Sequence, residues 1–353
     1  KYIPDLTRAN EVTIRQLLSH TSGYQDYWPQ DYVMKPMLEP TTAQKIMDTW
    51  ARKPLDFEPG TKWQYSNTNY VIAGAIVEKV ARMPFFQFLQ QNIFKPLGMT
   101  SVMSVDEARL TESDPTGYLR FALGPLRVAP KEGRGWLFAA GELAMTPADL
   151  AKWDISIMTR QPMKPTSYRL LETEVLLEDG SGTNYGLGVV VGSQSGRRVL
   201  SHGGGVSGFT STNIVLPDDR VAVVVLTNLD SAGASGPIAS GIAPLLFATN
   251  DPATAAKLEQ AKKIFEGLQQ GKIDRSLFTE NANGYFSEQA LEDFKSSLGP
   301  LGKWESFTQT SQSLRGGMVG RTYIVRFKDK TIRAWTYEMP DGKLEQFQVA
   351  VGN

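Results

Sequence analysis

Between Tyr185 and Asn228 the apolar residues change their spacing, and that change limits the folds open to this chain. Upstream they recur at three- and four-residue intervals, the spacing of one helix face. From Tyr185 they form short runs instead: Tyr185 to Val191, Arg197 to His202, Phe209 to Leu216 and Val221 to Asn228. The connections Gly192-Ser193-Gln194-Ser195-Gly196 and Pro217-Asp218-Asp219-Arg220 are built from turn-forming residues. Connections this short join antiparallel neighbours, because a parallel pair needs a crossover of a dozen or more residues. An antiparallel sheet following a helical region is the expected core.

The helical region reads clearly in places. Thr41 to Arg52 is an expected helix, with Thr41 or Thr42 as N-cap. Tyr70 to Arg82 places Val71, Ile72, Ala75, Ile76 and Val80 on one side, with Asn67, Thr68 or Asn69 as cap. Pro84 ends that helix, and a further helical stretch runs from about Phe85 to Phe94. Thr146 is set to cap Pro147 to Met158, and Pro237 to Ala248 reads as an apolar helix covering one sheet face. Beyond a break near Thr249, Ala255 to Gln270 and Ser287 to Leu298 are expected helices, and Arg321 to Phe327, Thr331 to Tyr337 and Lys343 to Val351 expected strands. The fold class is thus α/β (α+β): an antiparallel sheet flanked by helices plus an all-helical lobe, with a small C-terminal α+β domain. The expected boundaries are 1–248 for the main domain, 249–256 for a linker and 257–353 for the second domain.

Composition closes off several functions. Lys+Arg and Asp+Glu both total 37, with no basic block, so a nucleic-acid partner has no support. The longest apolar run, Val221 to Leu226, is too short to span a bilayer. The absence of cysteine excludes disulfides, thiolate metal sites and a cysteine nucleophile, and is compatible with export. The histidines are His20 and His202 alone, with no metal-ligand spacing, so neither a metal nor another cofactor is implied. Gly-x-Gly-x-x-Gly and Gly-x-Ser-x-Gly are absent too.

Two short motifs carry what chemistry there is. Tyr65-Ser66-Asn67 follows Glu58-Pro59-Gly60-Thr61 and precedes the apolar helix. A phenol there can relay a proton, but its ordinary pKa of about 10 must be lowered by nearby positive charge to act as a base. Asn67 can orient a carbonyl or a catalytic lysine. The plainer reading is a loop with Asn67 as a cap and Tyr65 in the core. His202-Gly203-Gly204-Gly205 ends an expected strand; Gly203, Gly204 and Gly205 let a backbone approach a ligand, and edge amides can hold an oxyanion. The plainer reading there is a flexible turn. His20, in Leu17-Leu18-Ser19-His20-Thr21-Ser22-Gly23, is expected to fix a loop through hydrogen bonds.

In order along the chain, these segments resemble the serine β-lactamase and penicillin-binding-protein-like superfamily, in the branch of class C β-lactamases, D-Ala-D-Ala carboxypeptidases and esterases. The landmarks are Ile14 to Gly23, Pro59-Gly60 leading to Tyr65-Ser66-Asn67, Pro96-Leu97-Gly98-Met99, Ala140-Gly141-Glu142-Leu143 with Thr146, Tyr185-Gly186-Leu187-Gly188, and His202-Gly203-Gly204. They cover about residues 1–248.

The resemblance implies a β-lactamase-like sheet and an acyl-enzyme reaction at an amide or ester: a β-lactam, a D-Ala-D-Ala-type peptide or a small ester. It gives Tyr65 a proton relay and Asn67 the orienting of substrate and lysine. His202 would hold a substrate carboxylate or assist Tyr65, and the Gly205 N–H would supply half an oxyanion hole. It also implies a periplasmic or secreted bacterial protein with a small-molecule or peptide substrate. No Ser-x-x-Lys occurs in the 353 residues. The first residues, Lys1-Tyr2-Ile3-Pro4-Asp5, read as the interior of a domain, so the nucleophile is expected upstream and these residues alone are expected to be inactive. The alternative is a non-catalytic binding or regulatory protein that kept the pocket. Histidine where true β-lactamases usually carry lysine tilts the expected substrate toward a peptide or ester.

Overall fold

The computed structural model describes residues 1–30, 32–108, 111–194, 196–230, 233–246 and 252–351. The chain divides into two compact units, Lys1–Phe247 and Ala248–Asn353.

The first unit begins with a short helix, Ile14–Leu18, closed at its start by a capping box between Thr13 and Gln16. Thr42 caps the next helix through its side chain, which accepts from the Lys45 amide; that helix, Ala43–Ile46, runs on through a π-helical segment to Ala51. Helix α1, Asn67–Ala81, buries Val71 and Ile72 of the expected apolar face and half-buries Ala75 and Ile76, but Val80, in its last turn, is exposed. Its cap differs from expectation. Ser66 is the N-cap and makes no side-chain cap bond; instead the Asn67 amide donates to the distant Asp26 carboxylate at 2.9 Å. Arg82 ends the helix in the left-handed region, φ 56°. The lobe's core gathers Leu17, Tyr24, Tyr27, Met37, Ile46, Val71, Ile72 and Trp136. Tyr27 and Trp136 are core residues.

Helix α2, Pro147–Thr159, starts at Thr146 as the sequence suggests, with the Thr146 side chain accepting from the Asp149 amide. Helix α3, Pro165–Glu172, follows. The sheet is a four-stranded antiparallel meander of β1 (Val190–Gln194), β2 (Arg197–Val206), β3 (Phe209–Leu216) and β4 (Val221–Thr227) in that order. Alternation sends Leu200 and Val215 to one face, against Ile157 of α2 and Tyr168 of α3. Ile214, Leu216 and Val223 reach the other face, against Ala239 of α4, Ser235–Leu246. Residues 247 and 248 of the expected apolar helix lie outside the described residues.

Two strand expectations need correction. Tyr185 to Gly188 is not strand: the Gly186 amide donates to the Val189 carbonyl at 2.8 Å and Gly188 has φ 88°, so the segment turns before β1 begins. The strand expected to end at His202 runs on to Val206, with Gly203, Gly204 and Gly205 paired to Thr212, Ser211 and Thr210.

In the second unit, α5 (Pro252–Gln269) and α6 (Glu288–Leu298) precede a second antiparallel meander: β5 (Ser306–Arg315), β6 (Met318–Arg326), β7 (Thr331–Glu338) and β8 (Leu344–Val351). Of the expected linker, 249–251 lie outside the described residues, and 252–256 are the first turns of α5. Phe265, Leu268, Phe278, Phe286, Tyr323, Val325, Ala334 and Phe347 form its core. Strand β5 escaped the sequence reading because it is an edge strand of Thr, Gln and Ser in which Phe307 alone is buried. The whole is an α+β chain with antiparallel sheets.

Candidate active site

The two motifs meet. The rings of Tyr65, ahead of α1, and His202, on β2, lie 6.2 Å apart between centroids. Each is held by neighbours that the spacing alone did not identify.

On the helical side, the loop from Gly60 to Ser66 runs along the segment Ser19 to Ser22. Gly60 N–H donates to Thr21 O at 2.8 Å, and Gln64 N–H to His20 O at 3.0 Å. Gly60 itself has φ 87°, a conformation open to glycine, so Pro59-Gly60 turns the chain into this pairing. Asn67 is held at two points by Asp26: its N–H donates to Oδ1 at 2.9 Å, and its Nδ2 to Oδ2 at 3.2 Å. The Trp28 amide shares Oδ1 at 3.1 Å, an Asx turn that fixes Asp26 in its own loop. Burial pushes the Asp26 carboxyl up, opposed by these hydrogen bonds. Sequence reasoning missed Asp26. The one local signal was an Asp two residues before Trp28 in a Gly- and Pro-bounded loop.

On the sheet side, β1 pairs with β2 only as far as Ser201, opposite Val190. From His202 to Val206 the β2 edge on that side continues past β1, and Gly203, Gly204 and Gly205 are exposed. Among the described residues no strand pairs with this side of β2 from His202 to Val206, which leaves a short edge of backbone beside Tyr65, the arrangement that an oxyanion-binding edge requires. A Cβ on Gly204 would come 2.5 Å from Ser211 Oγ, whereas one on Gly205 would meet nothing within 4 Å.

The turn at Tyr185 brings its phenol to His202. His202 Nε2 lies within hydrogen-bond distance of the Tyr185 hydroxyl at 3.0 Å, and His202 Nδ1–H donates to Gly203 O at 2.6 Å. Burial holds the His202 imidazole below its ordinary value, with the Gly203 bond opposing. Burial also raises Tyr65, helped by the Asp26 carboxylate, and no cation is among the causes. The positive charge that would turn Tyr65 into a base is therefore not supplied by these neighbours. Burial also disfavours a charge on His202 that could hold a carboxylate, and both its nitrogens are engaged within the chain.

His20 lies at the centre, fully buried, with Tyr65, Tyr70 and Tyr185 at 4.2, 5.3 and 5.1 Å between ring centroids. Among the described residues no group of three His, Asp or Glu side chains is placed to hold a metal. No helix among them is long and apolar enough to cross a membrane.

The Beta-lactamase family model matches residues 1–241. The chain is similar to a D-aminopeptidase of Gluconobacter oxydans (strain 621H), 28% identical over 220 residues, which are 61% of this chain and 41% of that protein. It is similar also to penicillin-binding protein 4* of Bacillus subtilis (strain 168), 29% identical over 232 residues, 62% of this chain and 51% of that protein. The chain thus spans about half the length of the curated relatives it matches. Among solved structures, a D-stereospecific amidohydrolase from Streptomyces sp. superposes with a TM-score of 0.57 at 26% identity, over 65% of this chain and 73% of that one.

Proposed function

Because the chain belongs to the beta-lactamase family, we propose that Tyr65, Asn67 and His202 with Gly203 to Gly205 are two walls of a serine-hydrolase site. The reaction is acyl transfer from an amide or ester. The observation that carries it is the approach of Tyr65 to His202 across the free glycine edge of β2.

In this reading a serine Oγ attacks the acyl carbon and a lysine takes its proton. The oxyanion sits on the Gly205 amide of the β2 edge and on the nucleophile's own amide. Tyr65, kept neutral by burial and Asp26, works as an acid: it gives its proton to the leaving nitrogen or oxygen, then takes one back from the water that attacks the acyl carbon, while the lysine returns its proton to the serine oxygen as the acid product leaves. Asn67, gripped by Asp26, orients the substrate carbonyl and the lysine. The serine and lysine come from a Ser-x-x-Lys that these residues do not contain, and its proposed place is the sequence before Lys1.

His202, with its charged form disfavoured by burial and both nitrogens occupied, is a poor holder of a substrate carboxylate. This favours a peptide, amide or ester over a β-lactam. The names of the relatives, a D-aminopeptidase and a D-stereospecific amidohydrolase, lead us to amides of D-amino acids first. We place the protein in the periplasm or outside the cell, and read the second unit, whose described part begins with α5 at Pro252, as an accessory domain.

The test is acylation of the full-length protein by a fluorophosphonate or a labelled penicillin. Labelling that disappears when the upstream serine is changed is expected. Folded full-length protein that takes up neither probe would sink the reading and favour a non-catalytic binding protein.

A further inference from the structure

Nε2 of His20 and Oγ of Ser66 are buried polar atoms without a partner among the described residues. The two residues are joined to each other: the Ser66 N–H donates to His20 Nδ1 at 3.1 Å. His20 is fully buried and has a left-handed backbone, φ 59°, where a ring-bearing side chain is rare and persists only under strong local constraint. That constraint is visible. His20 N–H donates to Leu17 O at 3.2 Å, Thr21 N–H to Gln16 O at 2.9 Å, and Gln64 N–H to His20 O at 3.0 Å. The loop is therefore tied to His20 on both sides of Tyr65, at Gln64 through backbone and at Ser66 through the ring. Between these ties the Tyr65 ring lies on the imidazole, 4.2 Å between centroids and tilted by 34°.

We propose that His20 is the positioning residue for Tyr65: its Nδ1 pins the Ser66 amide while its ring face seats the phenol, and together they fix the Tyr65 ring opposite His202. The inference rests on reading Tyr65 as the proton relay. Nδ1 must stay an acceptor, since it takes the Ser66 amide and has Asn69 Nδ2 at 3.4 Å, so the ring proton belongs on Nε2. The groups around the ring are Trp63, Tyr65, Tyr70 and Tyr185, with His202 beyond them. His20 transfers no proton itself. Its effect on turnover passes through the geometry of Tyr65.

Two substitutions separate the parts. His20→Asn offers Oδ1 where Nδ1 stands and tolerates the left-handed backbone, but loses the ring. His20→Phe keeps a ring and loses the acceptor. In the full-length protein, long-range ¹⁵N–¹H spectra are expected to show His20 protonated on Nε2 alone. The Ser66 amide resonance is expected to be downfield, to stay so in His20→Asn and to move upfield in His20→Phe. Protonation on Nδ1, or an unmoved Ser66 amide in His20→Phe, overturns the proposal. With a D-amino acid p-nitroanilide as substrate, whose leaving nitrogen must be protonated, His20→Phe is expected to lose about tenfold or more in kcat with little change in KM, and His20→Asn to recover part of it. Wild-type kcat in His20→Phe, or a loss in KM alone, overturns it as well. Tyr65→Phe is measured alongside. A wild-type rate there defeats the proton-relay reading, while the spectra still decide whether His20 holds Ser66.

Discussion

Asp26 holds Asn67 by both ends of its carboxylate, Oδ1 on the backbone amide and Oδ2 on the side-chain amide. One residue thereby supplies the missing N-cap of α1 and sets the plane of a proposed catalytic amide. Stability and function are joined at this contact.

Asp26→Ala is expected to cost about 1–3 kcal/mol of stability, because the Asn67 and Trp28 amides lose a charged acceptor. It should also lower kcat of the full-length enzyme through a rotated Asn67. Asp26→Asn keeps an acceptor for the two amides and should recover most of the stability but less of the rate. Thermal denaturation beside steady-state kinetics separates the two; equal recovery of both would show that the side-chain grip on Asn67 does not matter.

Tyr65→Phe retains the ring that lies against His20 and removes the hydroxyl. We expect acyl turnover in the full-length protein to fall by roughly 10²–10⁴, the range of a general acid, with the melting temperature almost unchanged. A reduced melting temperature with intact turnover would make Tyr65 a packing residue.

Gly204→Ala puts a methyl 2.5 Å from Ser211 Oγ, whereas Gly205→Ala meets open space. The first should destabilise the fold by about 1 kcal/mol, and Ser211→Ala in the same chain should restore it by removing the clash. Gly205→Ala should leave stability alone and slow acylation by crowding the edge. A double mutant no more stable than Gly204→Ala alone would place the strain elsewhere than at Ser211.

Two buried groups make stability depend on pH in opposite senses. Burial, with His202 nearby, depresses His20 from its ordinary 6.5 to about 3. Below 6.5 the unfolded chain takes up the proton that folded His20 refuses, so this contribution is lost as pH falls from about 6.5 to about 3. Burial raises Asp154 from 3.8 to about 6, against its hydrogen bond from Asn213 Nδ2 at 2.7 Å. That contribution is present below pH 3.8 and lost as pH rises through 6. Between about 4 and 6 the two largely cancel in this pair's share of the profile. Asp154→Asn removes one side and is expected to expose the histidine slope, approaching about 1.4 kcal/mol per pH unit. Chemical denaturation of the variant at pH 4, 5 and 6 measures it; equal stability at all three values would contradict a buried neutral His20.

A last expectation concerns substrate. Because burial holds the His202 imidazole below its ordinary value, KM for a carboxylate-bearing substrate should be flat from about pH 7 upward in the full-length enzyme. The contrary outcome, a KM rising steadily with pH, would mean that His202 holds substrate as a cation.

Much of this was legible in the residues. The apolar helix that ends near Ala81, the Thr146 cap, β3, β4, β2 as far as His202 and the family itself follow from apolar spacing, turn residues and the order of short motifs. Local chemistry sets these features, since a cap or an alternating strand needs only its neighbours in the chain. Strand β5 and the turn at Tyr185 were not legible. The first is an edge with little to bury, and the second is an apolar run that two glycines allow to bend.

The site divides the same way. The residues name the groups on offer: a phenol, an amide, an imidazole and a run of three glycines, with no Ser-x-x-Lys among them. Their states are set by long-range contacts. Asp26 reaches Asn67, Tyr185 occupies His202 and the Tyr65 ring rests on His20 through contacts that are distant in the chain. Protonation and orientation depend on burial and on such partners, which spacing along a sequence does not encode.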